Sequence, residues 1–369
     1  MRNHATTLSG LAIAGLAMTA AMLPATANAK DYLVTIAKPG HLYVIDAAAR
    51  EVTQDCRLDF NTNPAVIAMS PDNRIAYILG GRWSDVYGVD IDSCDVVFSA
   101  RQSSDHVRVK TIGSLAVSKD GRELYTVQNP VRLLPDRYEV MPPRLAVFDT
   151  AAGRDASPLR TFPAPRRLTI MATGRNGKLY AAGHDIYEID PQSGEVSVKI
   201  ANASWERPKY SPPDVLAFWP IGSQNDEFLL LYTAAVFQST KMQELADFVW
   251  GYQSVNLTTG EAKLADFASI EVLMFSAVRN HHKPNELFGV YTQLSKHDID
   301  KNELIKRVDL PHTYYVLNIS SDGREIYVGG TNDDIGIYDS GSLERVGEIR
   351  LPSGGDMGTS TLHVIQRDG

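Results

Sequence analysis

The feature that most constrains the fold is a unit that recurs along the chain. Each copy has an apolar stretch, a turn of the type Ser/Thr-x-Asp/Asn-Gly-Arg, the pattern x-Leu/Ile-Tyr, and a strand that ends in Asp. The clearest copies are LAVSKDGRELYTV (115–127) and LNISSDGREIYVGG (317–330), with close relatives at 67–81 and 170–183. A repeat of this kind indicates a fold built by stacking one supersecondary unit.

The polar residues that close one strand of each unit give the number of copies. There are seven of them: Asp46, Asp90, Asp149, Asp190, Asn256, Asp298 or Asp300, and Asp339. With Asp298 in the series, the spacings are 44, 59, 41, 66, 42 and 41 residues. An all-β repeat of roughly 40–50 residues is typical of a propeller blade. We therefore predict a seven-bladed β-propeller of four-stranded blades. A tandem of β-sandwiches or an open solenoid is the alternative.

The two ends of the repeat predict how the ring closes. The first unit, DYLVTIAKPGHLYVID (31–46), lacks an opening strand, and TLHVIQR (361–367) is a spare strand at the C-terminus. We expect the spare strand to become the inner strand of the first blade. Closure of this kind leaves only short, protected sheet edges.

The N-terminus has the pattern of a secretory signal peptide, which we place at residues 1–29. Arg2 supplies a positive charge, residues 11–23 form an apolar stretch of 13 residues, and Ala27-Asn28-Ala29 is a small-x-small cleavage site. The apolar stretch is too short to span a bilayer. Cleavage after Ala29 leaves residues 30–369 as an exported propeller domain with no membrane anchor.

Charge and composition exclude further classes. The chain is 44% hydrophobic and 22% charged, which is ordinary for a globular protein and not for a disordered one. Removing Arg2 with the signal peptide leaves 35 basic and 44 acidic residues, a net charge of 35 − 44 = −9. Because there is no basic block, nucleic acid is not an expected partner.

Two of the spacings are longer than the rest, and the extra residues fall at about 129–143 and 234–250. Both segments lie between the second and third strands of a blade. They should therefore rise on the face that carries the blade-to-blade connections 163–167, 205–213 and 310–315, which we call the loop face. The residues expected on this face are Arg132, Arg137, Tyr138, Arg166, Arg167, Trp205, Tyr210, Phe237, Trp250, His312 and Tyr315.

Aromatic and arginine side chains are the types that anchor protein interfaces. The candidates for contact with a partner or a shared pocket are Arg132, Tyr138, Arg166, Trp205, Tyr210, His312 and Tyr315. The alternative is that the long loops pack on themselves.

No motif in this chain carries cofactor chemistry of its own. There is no Cys-x-x-Cys-His haem site, no phosphate-binding glycine loop and no Gly-x-Ser-x-Gly elbow. His281 and His282 are expected in a solvated turn, and Asp333 and Asp334 at an exposed hairpin tip. We predict no catalytic residue, cofactor or metal in this chain.

The two cysteines, Cys56 and Cys94, are expected to pair. Cys56 follows Asp46 by 10 residues, late in the outer strand of the first blade, and Cys94 follows Asp90 by 4, in the turn before the outer strand of the second. Strands rotate about 20–25° each, so an outer strand runs along the rim toward the next blade. Export permits a disulfide. Two free thiols are the alternative.

Several segments resemble the beta subunit of quinohemoprotein amine dehydrogenase. They are DYLVTIAKPGHLYVID (31–46), SPDNRIAY (70–77), NPVRL with YEVMPPRLAVFD (129–149), WERPKYSPPDVLAFW (205–219) and DLPHTYYVLNISSDGREIYVGG (309–330). The resemblance runs from about residue 31 to 366. Asp-Gly turns alone are common in propellers, so its more specific parts are the Pro-Val-Arg, Pro-Pro-Asp-Val-Leu-Ala and Pro-His-Thr-Tyr-Tyr runs.

This resemblance implies a place in a periplasmic enzyme of three subunits that oxidises primary amines to aldehyde and ammonia. A small gamma subunit carries cysteine tryptophylquinone, and an alpha subunit carries two c-type haems that take the electrons. The beta subunit is a seven-bladed propeller without a cofactor, which supports the small subunit and helps to wall its pocket.

Two other classes of function stay open on the sequence. One is a stand-alone propeller hydrolase or lactonase with inward ligands around a central cation, for which Asn318 and Asp214 are possible members. The other is a scaffold or binding propeller, including the heavy chain of a methylamine dehydrogenase.

Overall fold

The computed structural model describes Met1 and residues 29–60, 66–217 and 226–367. The signal peptide predicted at residues 1–29 thus lies, apart from its first and last residues, outside the described part of the chain. Within that part, every helix is too short or too polar to cross a membrane. The one helix there is a short 3-10 turn, η1 (Thr150–Ala152).

The described strands form seven antiparallel sheets, and each sheet is one blade of the predicted β-propeller. The strands of blades 1 to 3, each from the inside outward, are as follows. Blade 1 has β30 (His363–Arg367), β1 (Lys30–Ala37), β2 (His41–Asp46) and β3 (Glu51–Arg57). Blade 2 has β4 (Val66–Met69), β5 (Ile75–Gly80), β6 (Asp85–Asp90) and β7 (Val96–Arg101). Blade 3 has β9 (Leu115–Val117), β10 (Glu123–Leu133), β12 (Arg144–Asp149) and β13 (Arg160–Pro163), with β8 (Val107–Lys110) and β11 (Tyr138–Val140) added to β10.

Blades 4 to 7 follow in chain order without added strands. Blade 4 has β14 (Ile170–Thr173), β15 (Leu179–Ala182), β16 (Ile186–Ile189) and β17 (Val196–Ile200). Blade 5 has β18 (Asp214–Leu216), β19 (Glu227–Phe237), β20 (Leu245–Asn256) and β21 (Ala262–Ser269). Blade 6 has β22 (Ser276–Arg279), β23 (Glu286–Val290), β24 (Gln293–Asp298) and β25 (Glu303–Asp309). Blade 7 has β26 (Tyr314–Ile319), β27 (Glu325–Gly330), β28 (Asp334–Asp339) and β29 (Arg345–Arg350).

The C-terminal strand closes the ring as predicted. β30 pairs with β1, so the two ends of the propeller share one blade. Hydrogen bonds then link this inner strand region to its neighbours on both sides. The Ile67 N–H of blade 2 donates to Thr361 Oγ1 at 3.0 Å, and Asn318 Nδ2 of blade 7 donates to the Leu362 oxygen at 2.8 Å.

The seven strand-closing residues each lie at or directly after the end of the third strand of a blade. Their side-chain oxygens accept backbone N–H groups of the following turn, as Asp339 does from Gly341 and Ser342 at 3.0 and 2.6 Å. This is the Asx turn that Asp and Asn favour. In blade 4, the Lys178 ammonium and backbone N–H groups lower the pKa of Asp190 to about 2. The repeat is therefore visible in the sequence because each turn needs one such residue.

The core lies between the faces of adjacent blades. Phe98 of blade 2 and Phe148 of blade 3 are fully buried and pack edge to face, with ring centroids 6.5 Å apart. Tyr77 contacts Phe98 in the same way at 5.7 Å. Edge-to-face packing suits the aromatic quadrupole and fills the wedge between blades, which widens toward the rim.

The disulfide is present as predicted. Cys56 and Cys94 are bonded, with their Cα atoms 5.2 Å apart. Cys56 is on β3 at the rim of blade 1, and Cys94 is in the turn between β6 and β7 of blade 2. The bond therefore ties the closing blade to its neighbour.

Candidate functional site

The two insertions are extensions of strands rather than loops. β10 and β19, both second strands, have 11 residues each, whereas the second strands of the other blades have 4 to 8. β20, a third strand, has 12 residues, whereas the third strands of the other blades have 4 to 6. The C-terminal part of β10 extends beyond the blade, where it pairs with β11 and β8 and forms the first hairpin (residues 129–143). The end of β19 and the start of β20 pair with each other and form the second hairpin (residues 234–250).

Both hairpins rise on the loop face, because each contacts a blade-to-blade connection. Arg166 Nη2, on the connection between blades 3 and 4, donates to the Met141 oxygen at 3.0 Å. The Phe237 N–H donates to the Lys209 oxygen, on the connection between blades 4 and 5, at 2.8 Å. Three of the predicted contact residues, Arg132, Tyr138 and Arg166, are exposed here.

The first hairpin presents apolar side chains to solvent. Tyr138 is 75% exposed and Val140 is 64% exposed, both on β11. Arg132, on β10, lies across from Glu139 of β11, and its guanidinium forms an ion pair with that carboxylate at 2.9 Å. In the described part of the chain, β11 pairs with β10 only, so its other edge has free backbone groups. Exposed apolar side chains beside a free sheet edge are typical of a surface that another chain covers.

The second hairpin also presents apolar side chains to solvent, but they are not the residues predicted for it. Met242, Leu245 and Phe248 are 45%, 50% and 49% exposed. Trp250 lies on the loop face, as expected, but is buried at 3% exposure, and its Nε1–H donates to the Val272 oxygen at 2.8 Å. Phe248 lies two residues before Trp250 in the same strand. The connection between blades 5 and 6 binds the Phe248 oxygen through the Ile270 N–H at 2.8 Å but leaves Phe248 half exposed.

Trp205 and Tyr210, predicted to contact a partner, are half-buried and have partners within the chain. Arg207 grips Asp266 with two hydrogen bonds of 2.8 and 2.6 Å and lies 3.6 Å from the centre of the Tyr210 ring. The Tyr210 and Tyr232 hydroxyls donate to the same carboxylate at 2.9 and 2.5 Å, and Trp205 packs edge-on against Tyr232. Burial disfavours the charged carboxylate, but these hydrogen bonds hold the pKa of Asp266 below its ordinary value.

His312 belongs to a second buried cluster. Its Nε2 lies 2.7 Å from Asp334 Oδ1, and the Tyr314 hydroxyl donates to Oδ2 at 2.5 Å. Asp334 is 2% exposed, so the expectation of an exposed tip is wrong for this residue. Its carboxylate points inward, where its hydrogen bonds hold the connection between blades 6 and 7 in place. Thr331 Oγ1 is 3.2 Å from the other His312 nitrogen, but it donates its proton to the Thr313 oxygen at 2.6 Å.

Tyr315 is part of an aromatic cluster that the sequence did not show in full. Its ring lies 5.4 Å from Phe275 and 6.2 Å from Tyr291, which are 4.4 Å from each other. All three are half-buried. Phe275 directly precedes inner strand β22 and Tyr315 is in inner strand β26, so the cluster lies at the loop-face end of the inner strands. Aligning the ends of the inner strands across units would have found Phe275.

The residues considered for metal binding do not converge. His281 and His282 are exposed in a turn, as predicted, with their Nε2 atoms 2.7 and 2.9 Å from the Ser321 oxygen. Asn318 is buried and fastens blade 7 to blade 1, whereas Asp214 is exposed at the start of β18. Across residues 29–60, 66–217 and 226–367, no group of three or more His, Cys, Asp or Glu is arranged to hold a metal ion.

Comparison with known proteins supports the fold. No family model matches the chain, and no curated protein matches it by sequence. Among solved structures, the chain is similar to the dihydro-heme d1 dehydrogenase NirN in complex with DHE, with a TM-score of 0.54 and 16% identity over 87% of this chain and 73% of that one.

Two further structures are similar at the same level. Hydrazine synthase of Kuenenia stuttgartiensis has a TM-score of 0.51 and 15% identity, covering 84% of this chain and 89% of that one. Apo AztD from Citrobacter koseri has a TM-score of 0.53 and 10% identity, covering 92% and 98%. At these identities the similarity is one of fold, and the seven sheets of the structure define the protein as a seven-bladed β-propeller.

Proposed function

We propose that this chain is the propeller subunit of a periplasmic amine dehydrogenase. It would dock a small quinone-bearing subunit on its loop face and help to wall the pocket in which that subunit oxidises primary amines to aldehyde and ammonia. The electrons would pass to the c-type haems of a third subunit. This chain contributes no cofactor and no catalytic residue.

One observation carries the proposal: both hairpins rise on the same face and hold large apolar side chains in solvent. Tyr138, Val140, Leu245 and Phe248 are each about half exposed or more. Exposed apolar side chains grouped on one face mark an interaction surface more often than scattered ones do. Four of the five segments that resemble the amine dehydrogenase subunit include or adjoin the loop face, and the disulfide fits an oxidising compartment.

The aromatic cluster of Phe275, Tyr291 and Tyr315 is the part of the loop face best suited to line a substrate pocket. Its three rings are half-buried, so each keeps some exposed surface. A tyrosine there offers an apolar wall and a hydroxyl to an amine. In this proposal the hairpins hold the partner, and the cluster faces the shared pocket.

The test is purification of the affinity-tagged chain from the periplasm of its own host, with untagged cells as the control. We expect a small chain that stains as a quinone in a redox-cycling gel to elute with it, together with haem absorbance and amine-dependent dye reduction. Elution of the chain alone, with none of these signals, would overturn the proposal. Hydrolytic activity of that lone chain would favour the stand-alone enzyme instead.

A further inference from the structure

The loop face carries a cluster of positive charge in one region. Around the first hairpin lie seven exposed arginines, which together we call the arginine lobe: Arg82, Arg101, Arg108, Arg132, Arg137, Arg166 and Arg167. They come from the turn between β5 and β6, the end of β7, β8, the first hairpin and the connection between blades 3 and 4. The chain as a whole has a net charge of −8, so the lobe has the opposite sign to the molecule.

Within the described part of the chain, most arginines of the lobe form no ion pair with a carboxylate, although Arg101 lies across from Asp85 on the neighbouring strand. Arg132 pairs with Glu139 and Arg137 with Asp136, both in exposed positions. Among the described residues, the other five arginines form no ion pair. Elsewhere on the surface, arginines are commonly paired, as Arg122 is with Asp120 and Arg324 with Asp322 in the Asp-Gly turns.

The charges of the lobe act on one another. Lys110 lies among them and donates hydrogen bonds to the Arg82 oxygen and to Ser84 Oγ. Burial, and then repulsion from Arg108 and Arg82, hold the pKa of Lys110 below its ordinary value. The nearby carboxyl of Asp85 acts in the opposite direction on Lys110 but does not outweigh these effects. Binding of a group of opposite charge to such a surface is favourable, because it relieves the repulsion between the like charges.

The surroundings of the lobe fit a folded protein better than a polyanion. Tyr138, Val140 and Ile112 are exposed among the arginines, at 75%, 64% and 37%. Arginine mixed with aromatic and aliphatic side chains is typical of protein interfaces. A long nucleic acid or a membrane would also meet the net negative charge of the rest of the chain, whereas a compact acidic patch would not.

We infer that the arginine lobe is the docking surface for an acidic patch on the partner subunit and sets its orientation on the loop face. This inference rests on the proposed function, which supplies the partner. The apolar hairpins provide the contact area, and the lobe determines which way round the partner binds. Charges placed at the rim of an interface act mainly on association rate, orientation and salt dependence.

The test compares two double variants of equal charge change in the co-expressed complex. The first, R82Q/R108Q, removes two unpaired arginines of the lobe. The matched control, R122Q/R324Q, removes two exposed arginines at the opposite end of the propeller. The complex is captured through a tag on the propeller chain and washed at stepped sodium chloride concentrations. The quinone signal retained per propeller chain is the readout.

We expect half-release of the quinone subunit from the lobe variant at a salt concentration at least about twofold lower than from wild type, since screening replaces the lost charges. The control should match wild type, and both variants should unfold at the wild-type temperature.

Equal retention by the lobe variant and wild type overturns the inference and leaves the proposed function standing. If wild type retains no quinone subunit at any salt concentration, the proposed function fails first. Binding of the isolated chain to a single-stranded oligonucleotide or to anionic vesicles, lost in the lobe variant, overturns the assignment to a protein partner.

Discussion

Arg207 and Asp266 form a two-point ion pair, 2.8 and 2.6 Å long, that joins the connection between blades 4 and 5 to the outermost strand of blade 5. Trp205 and Tyr210 pack around this pair. The loop face therefore has two groups of residues. One group builds the frame of the face from inside the chain, and the other, including Tyr138 and Val140, is free to meet a partner. Substitutions in the two groups should have different effects.

Substitution of the free group should weaken assembly without affecting stability. We expect Tyr138→Ala combined with Val140→Ser to lower affinity for the quinone subunit at least roughly tenfold, because interface aromatic anchors often cost 2 kcal/mol or more when truncated. The melting temperature should stay at the wild-type value, since both side chains are mostly in solvent. Native mass spectrometry of the co-expressed complex and thermal unfolding of the propeller chain measure the two effects.

The matched control for this prediction is Val198→Ser. Val198 is 51% exposed on β17, the outermost strand of blade 4, away from the loop face. Its substitution should leave assembly unchanged. Loss of assembly in Val198→Ser but not in the hairpin variant would mean that the partner binds the rim.

Substitution of the frame should act on stability first. Arg207→Gln removes the two-point pair, and we expect it to lower the free energy of unfolding by about 1–2 kcal/mol at neutral pH. A fully buried pair costs about 3–5 kcal/mol when broken, but Arg207 is over a third exposed and is partly screened. Tyr210→Phe, which removes a single hydrogen bond to Asp266, should cost about 1 kcal/mol.

The same pair predicts an acid sensitivity. Because its folded-state pKa is lowered, Asp266 stabilises the fold at pH values above its unfolded-state pKa, and this contribution is lost as the pH falls through the folded-state value. Urea unfolding at a series of pH values should show a smaller loss below about pH 4 in Arg207→Gln than in wild type. A variant of full stability that fails to assemble would place Arg207 in the interface instead.

The sequence predicts the parts of the fold that depend on local chemistry. The blade count is correct because every third strand needs an Asx residue to make its turn, and the Cys56–Cys94 bond follows from positions counted from those turns. Contacts between distant segments are what it misses. Trp250 is buried and Phe248 is not, because only the tryptophan reaches Val272. Asp334 is buried because residues of the preceding connection supply its partners.

Loss of the disulfide should destabilise the ring at its closure. The bond spans 38 residues, and a loop of that size corresponds to about 4 kcal/mol in the chain-entropy model. We expect C56A/C94A to lower the free energy of unfolding by about 2–4 kcal/mol. Dithiothreitol should destabilise wild type by a similar amount and leave the double variant unchanged. Equal stability of the two proteins in oxidising buffer would show that β30 alone secures the first blade.

His297 should make the fold sensitive to mild acid. It lies on β24, is 1% exposed, and has a buried Nδ1 without a hydrogen-bond partner among the described residues. Burial lowers its pKa to about 4, whereas in the unfolded chain a histidine titrates near 6.5. Between these values the unfolded state binds a proton that the folded state does not. The free energy of unfolding therefore falls as the pH drops from about 6.5 to about 4, by roughly 3 kcal/mol in total. His297→Leu, close in volume, should remove this contribution. Some loss toward pH 4 should remain, because burial also lowers the pKa of His363. His184→Leu, a substitution of an exposed histidine, should keep the wild-type profile. A wild-type slope in His297→Leu would mean that other groups cause the loss.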